Sequence, residues 1–190
     1  MSTHAKAAAK FLADRERAAW HDRALYHVRE KRDRMAHAVP EWEALRQAAS
    51  EIKLHTLSHL GRYLEEFERN ATANGMVVHW ASDAREMNRI VLDILRRHGG
   101  RTLIKSKSML SEECGLAPFL AGQGIDAVES DLGERIMQLM HRPPSHIVLP
   151  AIHVRREEVG ELFERELGTA RGDSDPTYLT HEARRQLRPK

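Results

Sequence analysis

Lys105-Ser106-Lys107-Ser108 set two ammonium groups and two hydroxyls side by side in four consecutive positions. On a loop that leads into a helix, such a run suits a phosphate or a carboxylate. It suits equally well a solvated loop whose serines cap that helix, since hydroxyls at helix starts commonly accept backbone N–H groups. The acidic counterparts are Glu129, Asp131 and Glu134. Asp131 with Glu134 three residues later has the spacing of a capping box, which gives Glu134 a structural reading beside the functional one. Glu129 follows a short apolar run and is not explained by capping. It could pair with Lys105 or Lys107. His153 follows another apolar run, Ile147-Val148-Leu149.

Other reactive types carry weaker signals. His55 and His59 stand four apart, so on a helix they share one face. No H-E-x-x-H accompanies them and no neighbouring cysteine completes a tetrahedral set, so a pair of solvated histidines is the reading for them and no metal is expected. Cys114, beside Leu116, has no adjacent base and reads as a buried small hydrophobe. Gly122-Gln123-Gly124 precedes its strand, whereas a dinucleotide fingerprint must follow one.

These residues need elements to position them, and the pattern supplies two kinds. Up to Gly75 the chain reads as helix only, broken by Pro40. Leu57, Leu60, Leu64, Phe67 and Ala71 form one apolar stripe, which needs cover, and the sheet is its expected partner. Asn74-Gly75 supplies a left-handed stop. Short strands are then expected at 76–80, 102–105, 125–129 and 146–149. The helices between them begin at Ser82 as cap, at Ser106, at Asp131 and at Val154. Strands alternating with helices predict an α/β fold with a parallel βαβ sheet of about four strands. Ligands of such sheets bind beyond the carboxyl ends of the strands. Lys105, Ser106, Lys107, Ser108, Glu129, Asp131, Glu134 and His153 would therefore share one rim. His146 would cap the start of the fourth strand.

Composition narrows the class. The 190 residues are 41% hydrophobic and 31% charged, as in an ordinary folded domain. Acidic and basic residues are interspersed around a net charge of only +2, which argues against nucleic acid as the partner. Nothing approaches the roughly 20 apolar residues of a membrane helix. The first ten residues lack the apolar core of a signal peptide. A single cysteine makes no internal disulfide and cannot ligate an iron–sulfur cluster by itself, so a cytoplasmic chain without cofactor is expected.

Three segments add a resemblance: 105–116 (KSKSMLSEECGL), 128–139 (VESDLGERIMQL) and 144–153 (PSHIVLPAIH). Together they resemble the first half of the LUD domain in the lactate utilisation protein B family, and the N-terminal helices are similar too. The family's motif residues match at Lys105, Ser106, Lys107, Ser108, Glu129, Asp131, Gly133, Glu134, His146 and His153. The resemblance implies a fold like part of the sugar-isomerase and CoA-transferase superfamily. It implies a component of a three-protein, iron–sulfur-dependent system that oxidises L-lactate to pyruvate, with the other subunits of that system as partners. It assigns no catalytic role to any rim residue, and this chain alone is not expected to be catalytic.

Full-length relatives continue into a second half of the domain and a ferredoxin-like region holding two 4Fe–4S clusters. The expected organisation is thus a helical segment 1–75, the first half of a LUD-like α/β domain 76–168, and a truncated basic helical tail 169–190. A sheet cut in this way would leave an open edge at its fourth strand, through which chains would self-associate. The competing reading is a stand-alone α/β domain, isomerase-like or transferase-like, that binds a phosphorylated or carboxylated small molecule.

Overall fold

The computed structural model describes residues 3–190; Met1 and Ser2, the start of the expected helical segment, lie outside them. The chain divides into two compact units, Met1–Trp80 and Ala81–Lys190.

The first unit holds four helices, α1 (Thr3–Ala13), α2 (Arg15–His37), α3 (Trp42–Ser58) and α4 (Leu60–Ala73). Asp14 separates the first two by capping α2, its carboxylate accepting the Arg17 N–H at 3.0 Å. Pro40 falls in the α2–α3 turn, as a residue without an N–H should. The apolar stripe is interrupted at His59, which ends α3 and opens α4. Of the stripe only Ala71 is buried, while Leu57, Leu60, Leu64 and Phe67 remain exposed. Gly75 takes φ +79° after Asn74, as the stop requires.

The second unit begins with α5 (Ala84–Arg97). Its cap is Asp83, one residue later than the expected Ser82. Asp83 accepts the Glu86 N–H at 2.7 Å, while Glu86 reaches back to the Ser82 N–H and hydroxyl. Then follow β1 (Thr102–Lys105), α6 (Met109–Glu113), α7 (Leu116–Ala121), β2 (Asp126–Glu129), α8 (Leu132–Leu139), α9 (Arg156–Leu167) and α10 (Pro176–Leu187). β1 and β2 pair in parallel, from Thr102 opposite Asp126 to Lys105 opposite Glu129.

Two strands form among the described residues, not four. Residues 76–80 are irregular. So are 146–149, for a local reason: His146 Nδ1 accepts the N–H groups of both Val148 and Leu149 at 3.0 Å. The donors that a strand would offer a neighbour are consumed within the turn. Ser145 N donates to the Pro150 carbonyl at 3.1 Å and closes the loop, leaving Ile147 and Val148 exposed. Among the described residues, 146–149 therefore form no fourth strand and present no strand edge.

The far edge of β2 is instead met by a side chain. The N–H groups of Asp126 and Ser130 donate to the carbonyls of Arg101 and Lys105, so Ala127 O and Glu129 N face away from β1. Gln138 of α8 takes both, donating from Nε2 to Ala127 O at 2.6 Å and accepting from Glu129 N at 3.2 Å. One amide side chain thereby does the work of a strand residue.

Two apolar clusters flank this βαβ unit. Leu92, Leu116, Leu120, Ile125 and Ala127 join α5, α7 and β2. Ile136, Met137, Val159, Leu162, Phe163, Leu179 and Ala183 join α8, α9 and α10. The polar stretch after Gly168 therefore contributes buried residues from α10 to the second cluster.

Two outcomes check this account. A Cβ on Gly160 would stand 2.6 Å from the Asp173 carbonyl oxygen, against fixed backbone. Gly160→Ala should cost about 1–3 kcal/mol in urea unfolding despite its better helix propensity. Gln138→Leu leaves two backbone groups of β2 unpaired and should cost about 2 kcal/mol. It should also raise the scattering mass with concentration, because the β2 edge is then open; an unchanged midpoint and mass would refute the strand-mimic role.

Candidate functional site

The parallel register brings Lys105 and Glu129 side by side at the carboxyl ends of their strands. The Lys105 ammonium lies between two carboxylates. It donates to Glu112 Oε1 of α6 at 2.8 Å and is in direct ion-pair contact with Glu129 Oε1. The Lys105 and Glu129 side chains are only 9% and 5% exposed, so these charges have left water and depend on each other. Burial acts to lower the Lys105 pKa, but the hydrogen bonds from Glu112 and Glu129 outweigh it and hold the ammonium above the ordinary lysine range.

Glu134 completes the cluster in an unexpected way. Its backbone N–H is capped by Asp131 Oδ1 at 3.1 Å, as the spacing predicts. Its carboxylate does not fold back to close a capping box. It is buried, and neither of its oxygens has a hydrogen-bond partner. Glu129 Oε2 is likewise unpartnered. These oxygens line a cleft of about 110 Å³ together with Glu112, Gln138, Arg142 and Pro144. Burial pushes the Glu129 carboxyl up to about 7; Lys105 opposes this and the neighbouring Glu134 carboxyl adds to it.

The remaining rim residues are placed nearby in other roles. Lys107 adopts φ +35°, donates to Val148 O at 3.0 Å and stands 3.4 Å from Asp131 Oδ2. Ser108 caps α6, accepting the Ser111 N–H at 3.3 Å. Ser106 is exposed. His153 is buried, its Nδ1 2.7 Å from Ser145 Oγ, which itself donates to Pro150 O at 3.0 Å. A hydroxyl has one proton, so with that proton on Pro150 O its oxygen accepts from the His153 Nδ1–H. His153 thus braces the 144–153 loop and does not line the cleft. The structure brings Lys105, Glu129 and Glu134 together and sets Lys107 against Asp131. Glu112, Gln138 and Arg142 were not singled out in the sequence. The one signal for Gln138 was its spacing, four residues after Glu134 on the inward stripe of α8.

Chemically the cleft is rich in acceptors. Three carboxylates line it, and two of them, Glu112 and Glu129, already pair with the buried Lys105 ammonium, so an anion reaching Lys105 would meet those two first. Among the described residues no three His, Cys, Asp or Glu side chains converge as metal ligands. His55 and His59 stack with ring centroids 4.4 Å apart, and His55 Nε2 meets the Tyr63 hydroxyl at 3.0 Å. The iron–sulfur clusters that the resemblance implies for full-length relatives do not fit this set of residues. Cys114 is the single thiol in the sequence, and it ends α6 half-buried rather than buried as expected.

Because Glu129 holds its proton more tightly folded than unfolded, its contribution is complete below the ordinary carboxylate range. That contribution should fall as pH rises from about 4.5 through about 7. Denaturant midpoints measured across this window should decline. A rise would mean that Glu129 is ionised throughout and stabilised by Lys105.

Comparison with known proteins places this chain in a family. The model described as "LUD domain" matches residues 64–190. The chain is 42% identical over 161 residues to "Lactate utilization protein B" of Exiguobacterium sp., covering 85% of this chain and 34% of that protein. It is 38% identical over 162 residues to the protein of the same name in Macrococcus caseolyticus, with coverage of 85% and 34%. It is 37% identical over 157 residues to "Uncharacterized electron transport protein YkgF" of Escherichia coli, covering 83% and 33%. The chain spans about a third of the length of these curated relatives, and no solved structure matches it significantly. With the model matching most of the chain, this protein belongs to the LUD domain family.

Proposed function

We propose that this chain is the N-terminal portion of an iron–sulfur electron-transfer component of a cytoplasmic L-lactate oxidation complex. Its sheet is part of a larger one of the sugar-isomerase and CoA-transferase kind. The observation that carries the reading is the likeness to lactate utilisation proteins over most of the chain. The segment itself carries no electron-transfer step, because one thiol cannot hold a cluster. It serves as a ligand-binding and docking piece for the other subunits.

The open part of the rim is where a small anion would bind. Lys105 is neutralised by two carboxylates, whereas the Lys107 side chain is 34% exposed next to exposed Ser106. A compact carboxylate such as lactate or pyruvate matches this corner. A sugar phosphate is the second reading, supported by the same ammonium and hydroxyl.

Interrupting the gene should abolish growth of its host on L-lactate and leave growth on pyruvate unchanged. Equal growth on both would refute the lactate assignment. In thermal unfolding, L-lactate should raise the midpoint of the chain by about 2–4 °C for each kcal/mol of binding. Lys107→Ala should remove that rise. A shift with sugar phosphates and none with lactate or pyruvate would favour the stand-alone binding domain.

A further inference from the structure

We propose that Glu129 and Glu134 form a proton-binding carboxyl pair that exchanges its shared proton for the guanidinium of Arg142, making this cleft a pH-sensitive switch.

The case starts from unmet bonding. Three buried carboxylate oxygens, Glu129 Oε2 and both of Glu134, have no partner and line one cleft of about 110 Å³. Every group facing the pair can be named. Lys105 comes from β1 and ion-pairs both with Glu112 of α6 and with Oε1 of Glu129 itself. Gln138 comes from α8, but its amide is committed to Ala127 O and Glu129 N, and the Arg135 guanidinium of the same helix is committed to Gln138 Oε1 at 2.6 Å. Arg142 follows α8. Lys105 balances one of the three carboxylate charges, so two remain. Two ionised carboxylates side by side in a water-poor site repel and are poorly solvated. One shared proton removes a charge and turns one carboxyl into a donor for the other. The rise of Glu129 to about 7, to which Glu134 contributes, agrees with that geometry.

Losing the proton restores the conflict, and one cation is placed to resolve it. Arg142 lines the same cleft, is exposed and forms no ion pair or side-chain hydrogen bond among the described residues. Its backbone is anchored, since Arg142 N donates to Met137 O at 3.0 Å. In this exchange the side chain turns toward the pair while the backbone stays in place. A guanidinium suits the task because its planar donors match carboxylate oxygens and it stays charged at any relevant pH.

The test uses the full chain. The carboxyl carbon-13 resonance of Glu129 should titrate near neutrality, with the Arg142 side-chain resonances shifting over the same range. Glu134→Gln should lower the Glu129 midpoint and abolish the Arg142 response. Arg142→Ala should leave the melting temperature unchanged at about pH 5 and lower it at about pH 9, with Arg142→Lys restoring part of the loss. An Arg142→Ala loss of equal size at both pH values overturns the exchange. If Glu134→Gln fails to fold, the unsubstituted chain still decides: a Glu129 carboxyl resonance that titrates in the ordinary carboxylate range, or Arg142 resonances that do not follow it, overturn the pair.

Discussion

The Lys105 ammonium, buried between Glu112 and Glu129, is the constraint on which the rest of the second unit is arranged. A buried ion cluster is not in itself a large source of stability, because desolvation offsets most of the attraction. Its effect is on geometry. An ammonium removed from water must keep its carboxylates, so α6 is held against the end of β1 and β2 is held in register beside it. The same cluster brings Glu134 under the strand end and leaves three oxygens without donors.

Closing the edge of β2 with Gln138 is the second consequence. A two-stranded parallel sheet normally exposes backbone on both sides. Here α8 lies close enough for its glutamine to reach the strand, and the same helix carries Glu134 into the cleft and Ile136 and Met137 into the core. One helix therefore seals an edge, builds the acidic wall and packs the apolar cluster. The anion-binding rim expected from Lys105 and Lys107 becomes an acceptor-rich cleft, with an open corner at Ser106 and Lys107.

The first unit poses a different physical problem. Its helices form as the 3.6-residue pattern requires, and Asp14, Pro40, His59 and Gly75 set their breaks. Yet Leu57, Leu60, Leu64 and Phe67 are exposed, together with Ile52 and Leu54. Apolar surface of this extent costs free energy in water, so the packing within this unit does not satisfy the pattern that formed its helices.

Local chemistry could be read from the sequence wherever local chemistry decides the structure. β1 at 102–105, the Asp131 cap and the left-handed Gly75 follow from residue types and spacings that act within a few positions. Tertiary structure alone decided the rest, because those outcomes depend on partners distant in sequence. Ile147-Val148-Leu149 has the composition of a buried strand, but His146 takes its donors and no neighbouring strand offers replacements. Glu134 has the spacing of a capping residue, but it turns inward because the packing of α8 under β2 places it in the cleft. Lys105 could be seen as a rim lysine, yet only the fold could show that Glu112 and Glu129 had already taken its charge. The reason is common to all three. A side chain's chemistry is set by which donors and charges remain unpaired around it, and in a buried site those are assembled from several elements at once.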